Sequence, residues 1–155
     1  MTSYKSLAIP TQDDAPQSFG FSPCEGGVCA AAGMRAAGIL AGFRKNPERK
    51  DMALVVADKT CVCAATFTQN RFCAAPVQVS RARAASGHAR AVVLNSGNAN
   101  AATGEPGLRC AEKACALVAE ALNCDEKDVL VASTGVIGVQ LPFDPYATGV
   151  PAIVD

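Results

Sequence analysis

The sequence predicts an α/β fold, in which a mixed sheet and helices form a layered sandwich. Three observations support this prediction. Two apolar segments flank a charged Asn-Pro turn, a repeat with helical spacing fills residues 107–123, and short apolar runs precede and follow that repeat. Hydrophobic residues make up 50% of the 155-residue chain and charged residues 18%, which suffices for one domain with its own core.

The first half of the chain is predicted as an arm followed by strands. Residues 1–26 have the irregular composition of an N-terminal arm, and residues 27–155 make up the domain. Two strands joined by the charged turn form a β-hairpin, two more strands follow, and a short, partly helical linker continues to residue 86. The four expected strands are residues 34–44, 50–60, 61–68 and 75–80.

The second half of the chain predicts a strand, a helix and another strand. Residues 89–95 are an apolar run typical of a buried strand, and residues 129–132 are a second one. The helix between them is expected to begin near Thr103 or Pro106 and to end near Asn123. Its apolar positions recur at spacings of three and four: Leu108, Ala111, Cys115, Val118 and Leu122.

Charge and hydropathy exclude several classes of partner. Lys plus Arg and Asp plus Glu each number 14, so the basic excess of a nucleic-acid-binding protein is absent. The start of the chain lacks the basic and apolar regions of a signal peptide, and its least charged stretch, residues 15–34, is interrupted by Pro and Gly. We therefore expect a cytoplasmic protein whose partner is a small molecule or another protein chain.

The eight cysteines are not expected to form a disulfide framework, because the chain shows no secretory signal and has enough apolar residues for a core. Cys110 and Cys115 are expected to act as small hydrophobic residues of the helix, and Cys61 and Cys63 are expected to be reduced core thiols. Cys61 and Cys63 form a C-x-C pattern on one face of a predicted strand, but closed zinc sites normally need four ligands in paired spacings. The sequence therefore predicts no metal site and no disulfide framework. The cysteines are Cys24, Cys29, Cys61, Cys63, Cys73, Cys110, Cys115 and Cys124.

Small polar residues follow both buried strands. The second cluster is STGVIG, residues 133–138, and the first is the stretch Asn95, Ser96, Gly97, Asn98 and Asn100. Loops at strand ends are frequent ligand sites, since glycine lets the backbone approach a ligand and Asn supplies uncharged donors and acceptors. The same residue types also build ordinary turns, so both interpretations stay open from composition alone.

Five segments, in this order, resemble the N-terminal part of the ornithine acetyltransferase family, the bifunctional glutamate N-acetyltransferases of arginine biosynthesis. The segments are GMRAAGILAGFR, DMALVVAD, ATFTQNRFCAAPVQVSR, AVVLNSGNANAATGEPG and VLVASTGVIGVQLP. The resemblance implies the layered sandwich fold that this family shares with self-cleaving aminopeptidases. It also implies a precursor that cuts itself before a Thr, and the new N-terminal Thr of the β chain is then the nucleophile.

The implied reaction moves the acetyl group of N-acetylornithine to that Thr and then to glutamate. The resemblance assigns the oxyanion hole to Thr134 and Gly135, and we expect the Asn-rich stretch at 95–100 to be an active-site loop or to hold residues 134–138 in place. No cofactor is implied, although some members accept acetyl-CoA as donor. The implied partner is the β chain, in an α2β2 assembly.

The apolar tail, residues 141–155, stops without a capping or turn signal and shows no self-cleavage Thr. We therefore expect a truncated α portion, inactive without its partner. Two alternatives stay open. One is a related self-processing aminopeptidase, and the other is a non-catalytic homologue that binds a small molecule or a protein.

Overall fold

Residues 24–46 and 48–154 are described by the structure, a computed structural model. The predicted arm thus lies outside the described residues up to residue 23, and so does Pro47 in the charged turn. Four strands and three helices follow in the order β1 (Met34–Ile39), β2 (Met52–Val62), α1 (Ala75–Ala84), β3 (His88–Asn98), α2 (Gly104–Leu122), β4 (Val129–Val136) and α3 (Asp144–Val154).

The strands form one mixed sheet in the order β1-β2-β3-β4. β1 and β2 form the predicted antiparallel hairpin, in which Ile39 lies opposite Met52. β2 and β3 are also antiparallel, whereas β3 and β4 are parallel and are connected through α2. A parallel pair needs such a long crossover, because a tight turn reverses the direction of the chain. The predicted mixed sheet with helices is confirmed.

The core lies between the sheet and its helices. Leu54, Val93 and Val131 lie side by side on three neighbouring strands and are at most 4% exposed. Val118 of α2 and Tyr146 of α3 belong to the same buried cluster and are fully buried. Burying an aliphatic side chain of this size stabilises a fold by about 1.5–3 kcal/mol, so this layer holds the helices on the sheet.

The helix predicted over residues 107–123 is confirmed as α2. Ala111, Cys115 and Val118 are buried, as the spacing predicts, and Leu108 and Leu122 pack partly buried against them. The helix ends where Asn123 adopts the left-handed conformation, with φ of 48°, and donates its N–H to the carbonyl of Ala119. Asn is one of the few residues that tolerate this conformation, so it stops the helix there.

The fourth strand predicted at residues 75–80 is wrong, because this segment begins α1. Pro76 occupies the first helical turn, where a missing N–H is tolerated. Val77 and Val79 favoured a strand in the sequence, but Val79 packs into the helical side of the core. The Ser80 hydroxyl donates to the carbonyl of Val131 at 2.7 Å, which fastens α1 to β4. Tertiary contact thus overrides the β propensity of two valines.

The third strand predicted at residues 61–68 is also wrong. β2 continues only to Val62, and residues 63–70 have no regular structure. β1 accompanies β2 only to Ala57, so the end of β2 lacks one neighbour. Val62 is 85% exposed and Cys61 is exposed. The expectation of a core thiol is therefore wrong for Cys61. Cys24 and Cys29, for which the sequence predicts no core position, are exposed too.

Within residues 24–46 and 48–154, no helix combines the length and the apolar character that crossing a membrane requires.

Candidate functional site

The two polar clusters come together at one edge of the sheet. β3 and β4 run parallel, so both clusters lie at the same end of the sheet. Both strands extend further than predicted, β3 to Asn98 and β4 to Val136, so residues 95–98 and 133–136 belong to strands and not to the expected loops. Ser96 lies opposite Thr134, and Gly97 lies opposite Gly135. The pairing becomes irregular at Asn98, which faces residues on both sides of Gly135. Residues about 40 positions apart in sequence thus form one surface, as expected for ligand sites at the carboxyl ends of parallel strands.

Gly135 is held in a position that only glycine can occupy. Its φ is 135°, and a Cβ atom there would lie 2.3 Å from the carbonyl carbon of Gly97 and 2.5 Å from the backbone nitrogen of Asn98. Side chains rarely adopt this φ, and no side chain fits at this distance from backbone. The backbone of β4 therefore lies directly against that of β3 beside Thr134.

Thr134 is exposed at the mouth of a cavity of about 360 Å³. Within the described residues, its hydroxyl has no hydrogen-bond partner, which leaves it free for a ligand. The cavity is almost entirely apolar at its surface, and Ala53, Leu94 and Ala132 line it with Ser96 and Thr134. A polar donor at the rim of an apolar cavity is the usual arrangement of a small-molecule site.

Asp51 is one of the residues that line the cavity, and no sequence pattern singled it out. Only 2% of it is exposed, yet it makes no ion pair among the described residues. Its carboxylate accepts hydrogen bonds from the backbone N–H groups of Ala41 at 2.7 Å, Gly42 at 3.2 Å and Arg44 at 2.8 Å. The Arg44 side chain then donates from Nε to the Ser96 hydroxyl at 3.0 Å. The loop after β1 is thereby fixed against the end of β3.

The Asn side chains of the first cluster turn into the protein. The Asn98 amide donates to the carbonyl of Val139 at 3.0 Å, and its oxygen accepts from the N–H of Asn100 at 2.8 Å. Asn100, fully buried with φ of 48°, donates to the carbonyl of Gly107 at 2.8 Å and accepts from the Thr103 hydroxyl at 2.8 Å. These amides therefore hold the loop after β4 and the start of α2 in place.

Asn95 connects the same loop to α3. Its amide donates to the carbonyl of Asn98 at 3.0 Å, and its oxygen accepts from the Tyr146 hydroxyl at 2.9 Å. Tyr146 is fully buried, and its ring meets that of Phe43 edge-on at 4.7 Å. Burial raises the pKa of the Tyr146 hydroxyl, so the group stays protonated and donates. Tyr146 lies in an apolar tail whose sequence contains no signal for this role.

The predicted site residues therefore divide into two groups. Thr134, Ser96 and the largely buried Asn95 line the cavity, and Gly135 follows Thr134 in β4, whereas Asn98 and Asn100 are buried and bond to backbone. The assignment of Thr134 and Gly135 to an oxyanion hole stays a prediction.

Two further observations bear on bound groups. In residues 24–46 and 48–154, no three His, Cys, Asp or Glu side chains are grouped closely enough to hold a metal ion. A second cavity of about 250 Å³ opens between β1 and the ends of α2 and α3, with Arg35 as its one charged side chain among the residues that line it. It lies away from both polar clusters, so we place the functional site at Thr134.

Comparison with known proteins identifies the family. The model of the ArgJ family matches residues 35–155. The chain belongs to the ArgJ family. This confirms the resemblance to ornithine acetyltransferases that the five sequence segments indicated. This chain is similar to the arginine biosynthesis bifunctional protein ArgJ of Symbiobacterium thermophilum, with 48% identity over 128 residues, and to that of Geobacter sulfurreducens, with 46% identity over 122 residues.

Solved structures show the same fold. The crystal structure of ornithine acetyltransferase complexed with ornithine from Mycobacterium tuberculosis superposes with a TM-score of 0.78 at 41% identity, covering 82% of this chain and 68% of that one. The ArgJ structure from Bacillus halodurans gives 0.76 at 39% identity, covering 80% and 64%. The matches to the Geobacter and Symbiobacterium proteins cover 79% and 82% of this chain but only 31% and 32% of theirs, so it spans about a third of their length.

Proposed function

We propose that this chain is part of a cytoplasmic acetyltransferase of arginine biosynthesis, which moves the acetyl group of N-acetylornithine to glutamate. Thr134 and Gly135 supply the oxyanion hole, and the nucleophilic Thr comes from a β chain cut from the same precursor. Family membership, the relatives' names and the ornithine in the solved Mycobacterium structure support this proposal. The observation on which it chiefly rests is the position of the Thr134 hydroxyl, which lies at the cavity beside Gly135 and has no hydrogen-bond partner among the described residues.

The proposed chemistry has two balanced halves. The Thr hydroxyl of the β chain attacks the acetyl carbon of N-acetylornithine, and its proton passes to a base. The carbonyl oxygen becomes negative, the C–N bond breaks, and ornithine leaves with the proton on its amine. The amine of glutamate then attacks the acetyl-Thr ester, giving N-acetylglutamate and the free Thr hydroxyl. Both steps pass through a tetrahedral oxyanion, so both need the same two donors.

The local structure suits the donor role. The Thr134 hydroxyl donates a hydrogen bond to no described residue, so it is available to donate to an oxyanion. The absence of a side chain on Gly135 lets β4 lie directly against the backbone of Gly97 and Asn98, which holds Gly135 beside Thr134. The surrounding cavity surface is apolar, and hydrogen bonds to a developing charge are stronger in such surroundings than in water.

The proposed division into two chains has support from chain lengths. This chain covers 64% and 68% of the two solved chains but 31% and 32% of the two curated sequences. The solved chains are therefore much shorter than full sequences of the family, as autocatalytic cleavage of a precursor predicts. We further propose an α2β2 heterotetramer that works without a cofactor, with acetyl-CoA as an alternative donor to be tested.

The test is acetyl transfer by this chain assembled with the nucleophile-bearing chain. Thr134→Ala should lower kcat by a factor of about 10²–10³, the usual effect of removing one oxyanion donor. Because Thr134 is exposed, the unfolding free energy of the Thr134→Ala variant should differ from that of the wild type by less than about 0.5 kcal/mol. Thr148→Ala is the matched control, since that exposed hydroxyl donates only to the carbonyl of Asp144 within α3.

Each outcome separates the alternatives. Full activity of Thr134→Ala would refute the oxyanion assignment. Release of free acetate or of a peptide's N-terminal residue, without N-acetylglutamate, would favour the aminopeptidase alternative. An assembled protein that binds ornithine but forms no acetyl-enzyme would favour the non-catalytic one.

A further inference from the structure

Tyr146 is a buried polar group that the proposed chemistry does not use. It lies on α3, and it reaches across the core to β3, where its hydroxyl donates to the Asn95 oxygen at 2.9 Å. Both residues are at most 2% exposed. A buried hydrogen bond between side chains 51 positions apart fixes two elements relative to each other, because breaking it leaves unpaired polar atoms in the core.

Asn95 passes this constraint to the end of β3. With its oxygen held by Tyr146, its amide group is oriented to donate to the carbonyl of Asn98 at 3.0 Å. The Asn98 side chain in turn donates to the carbonyl of Val139 at 3.0 Å. A continuous series of hydrogen bonds thus leads from α3 to the loops after both parallel strands, and every side chain in it is buried.

Gly135 rests on the backbone that this series fixes. The space where its Cβ would lie is filled by the carbonyl carbon of Gly97, 2.3 Å away, and by the nitrogen of Asn98, 2.5 Å away. A shift of the Gly97–Asn98 peptide therefore moves or releases Gly135. Since oxyanion stabilisation depends on donors placed within a few tenths of an ångström, such a shift weakens it even though the donors remain.

The geometry points to Tyr146 as a positioning residue for the oxyanion hole, acting through Asn95 on the peptide that supports Gly135. This inference rests on the proposed function, but it adds a residue from α3 that touches neither the cavity nor the substrate. A further buried polar group lies at the same end of the sheet. The Ser133 hydroxyl, next to Thr134 in sequence, is buried, and its interaction with the Tyr146 hydroxyl lowers the pKa of that tyrosine against the larger effect of burial. This end of the sheet therefore keeps polar groups in its core where aliphatic ones would pack.

The first test is hydrogen exchange on the chain itself. Tyr146→Phe keeps the ring and removes only the hydroxyl. We expect exchange to become roughly tenfold faster at the amides of residues 96–100 and 134–138, with little change elsewhere. Val150→Ala is the matched control, because Val150 lies on the same helix and is fully buried but has no polar side-chain atom. It should lower Tm without accelerating exchange selectively in those two segments.

The second test is kinetic and uses the assembled enzyme. Tyr146→Phe should lower kcat about ten- to a hundredfold and leave KM unchanged, because the donors shift while the rest of the binding site stays intact. Asn95→Ala should have a similar effect, and the double variant should lose no more activity than the more damaged single variant, since both changes break the same series.

The outcomes keep this inference distinct from the proposed function. If Thr134→Ala is inactive and Tyr146→Phe retains full kcat, the positioning role is overturned and the oxyanion assignment survives. If Thr134→Ala is fully active, the oxyanion assignment falls and the positioning role falls with it. Unchanged exchange at residues 96–100 and 134–138 in Tyr146→Phe overturns the inference without any reference to activity.

Discussion

Replacing Gly135 by Ala tests the close approach of β3 and β4 directly. The new Cβ would lie 2.3 Å from the carbonyl carbon of Gly97 and 2.5 Å from both its oxygen and the nitrogen of Asn98. All three atoms belong to backbone that is tied into the sheet, so no flexible side chain can move aside. Relieving the clash requires the strand ends to separate by roughly 1 Å, since real Cβ atoms do not approach other heavy atoms this closely.

The loss of unfolding free energy expected for Gly135→Ala has two parts. Placing a side chain at φ of 135° costs about 1–3 kcal/mol, because side chains rarely adopt this region. Separating packed backbone costs about another 1–3 kcal/mol. We therefore expect Gly135→Ala to lower the unfolding free energy by about 2–6 kcal/mol, a large part of the 5–15 kcal/mol of a typical domain. Acetyl transfer should fall at least as far as in Thr134→Ala, because both strand ends move.

Gly138→Ala is the matched control for this experiment. Gly138 also has a positive φ, 81°, but no atom lies within 4 Å of the place where its Cβ would be. Gly138→Ala should therefore lower the unfolding free energy only by the cost of placing a side chain at a positive φ, about 1–2 kcal/mol. Urea denaturation of the two variants and the wild type provides the comparison. Equal losses in both variants would refute the argument, because the close approach would then contribute nothing.

Three other predictions follow from buried groups. Asn98→Ala should cost about 2–4 kcal/mol, because it leaves the N–H of Asn100 and the carbonyl of Val139 unpaired; unchanged urea midpoints would contradict this. Asp51→Ala should free the loop after β1, so that trypsin cuts at Arg44 faster than in a Lys59→Ala control; equal cleavage rates would count against the capping role. Burial raises the pKa of the Cys115 thiol from 9.0 to about 12, so the folded state binds more protons than the unfolded state between these pH values. The unfolding free energy should therefore fall by about 1 kcal/mol per pH unit as the pH rises through this range. Cys115→Ala should flatten this slope, and an unchanged slope would exclude the thiol as its source.

Several features of the fold follow from the sequence alone because they depend on local pattern. The spacing of Ala111, Cys115 and Val118 determines α2, since a period of 3.6 residues places them on one face. Asn123 marks its end through its tolerance of the left-handed conformation. The apolar runs at residues 34–39 and 52–57 give the hairpin, and the order of the motifs gives the family.

Other features depend on contacts that no local pattern records. Residues 75–80 are helical because Pro76 begins the helix and Ser80 bonds to β4, although their valines favour a strand. The Asn-rich stretch lies near the end of a strand, but residues 95–98 belong to β3 and not to a loop after it. Whether its amides face solvent or bond to buried backbone depends on partners such as Tyr146, which lies 51 residues from Asn95.

The candidate site shows the same division. The sequence supplies Thr134 and Gly135, and their roles follow only from the resemblance. The tertiary structure decides that β4 lies parallel to β3, which brings Gly135 against Gly97 and leaves the Thr134 hydroxyl at a cavity mouth. The physical reason is that donors and close approaches are properties of positions in space. Residues far apart in sequence acquire them only when burial of the shared apolar core fixes their elements together.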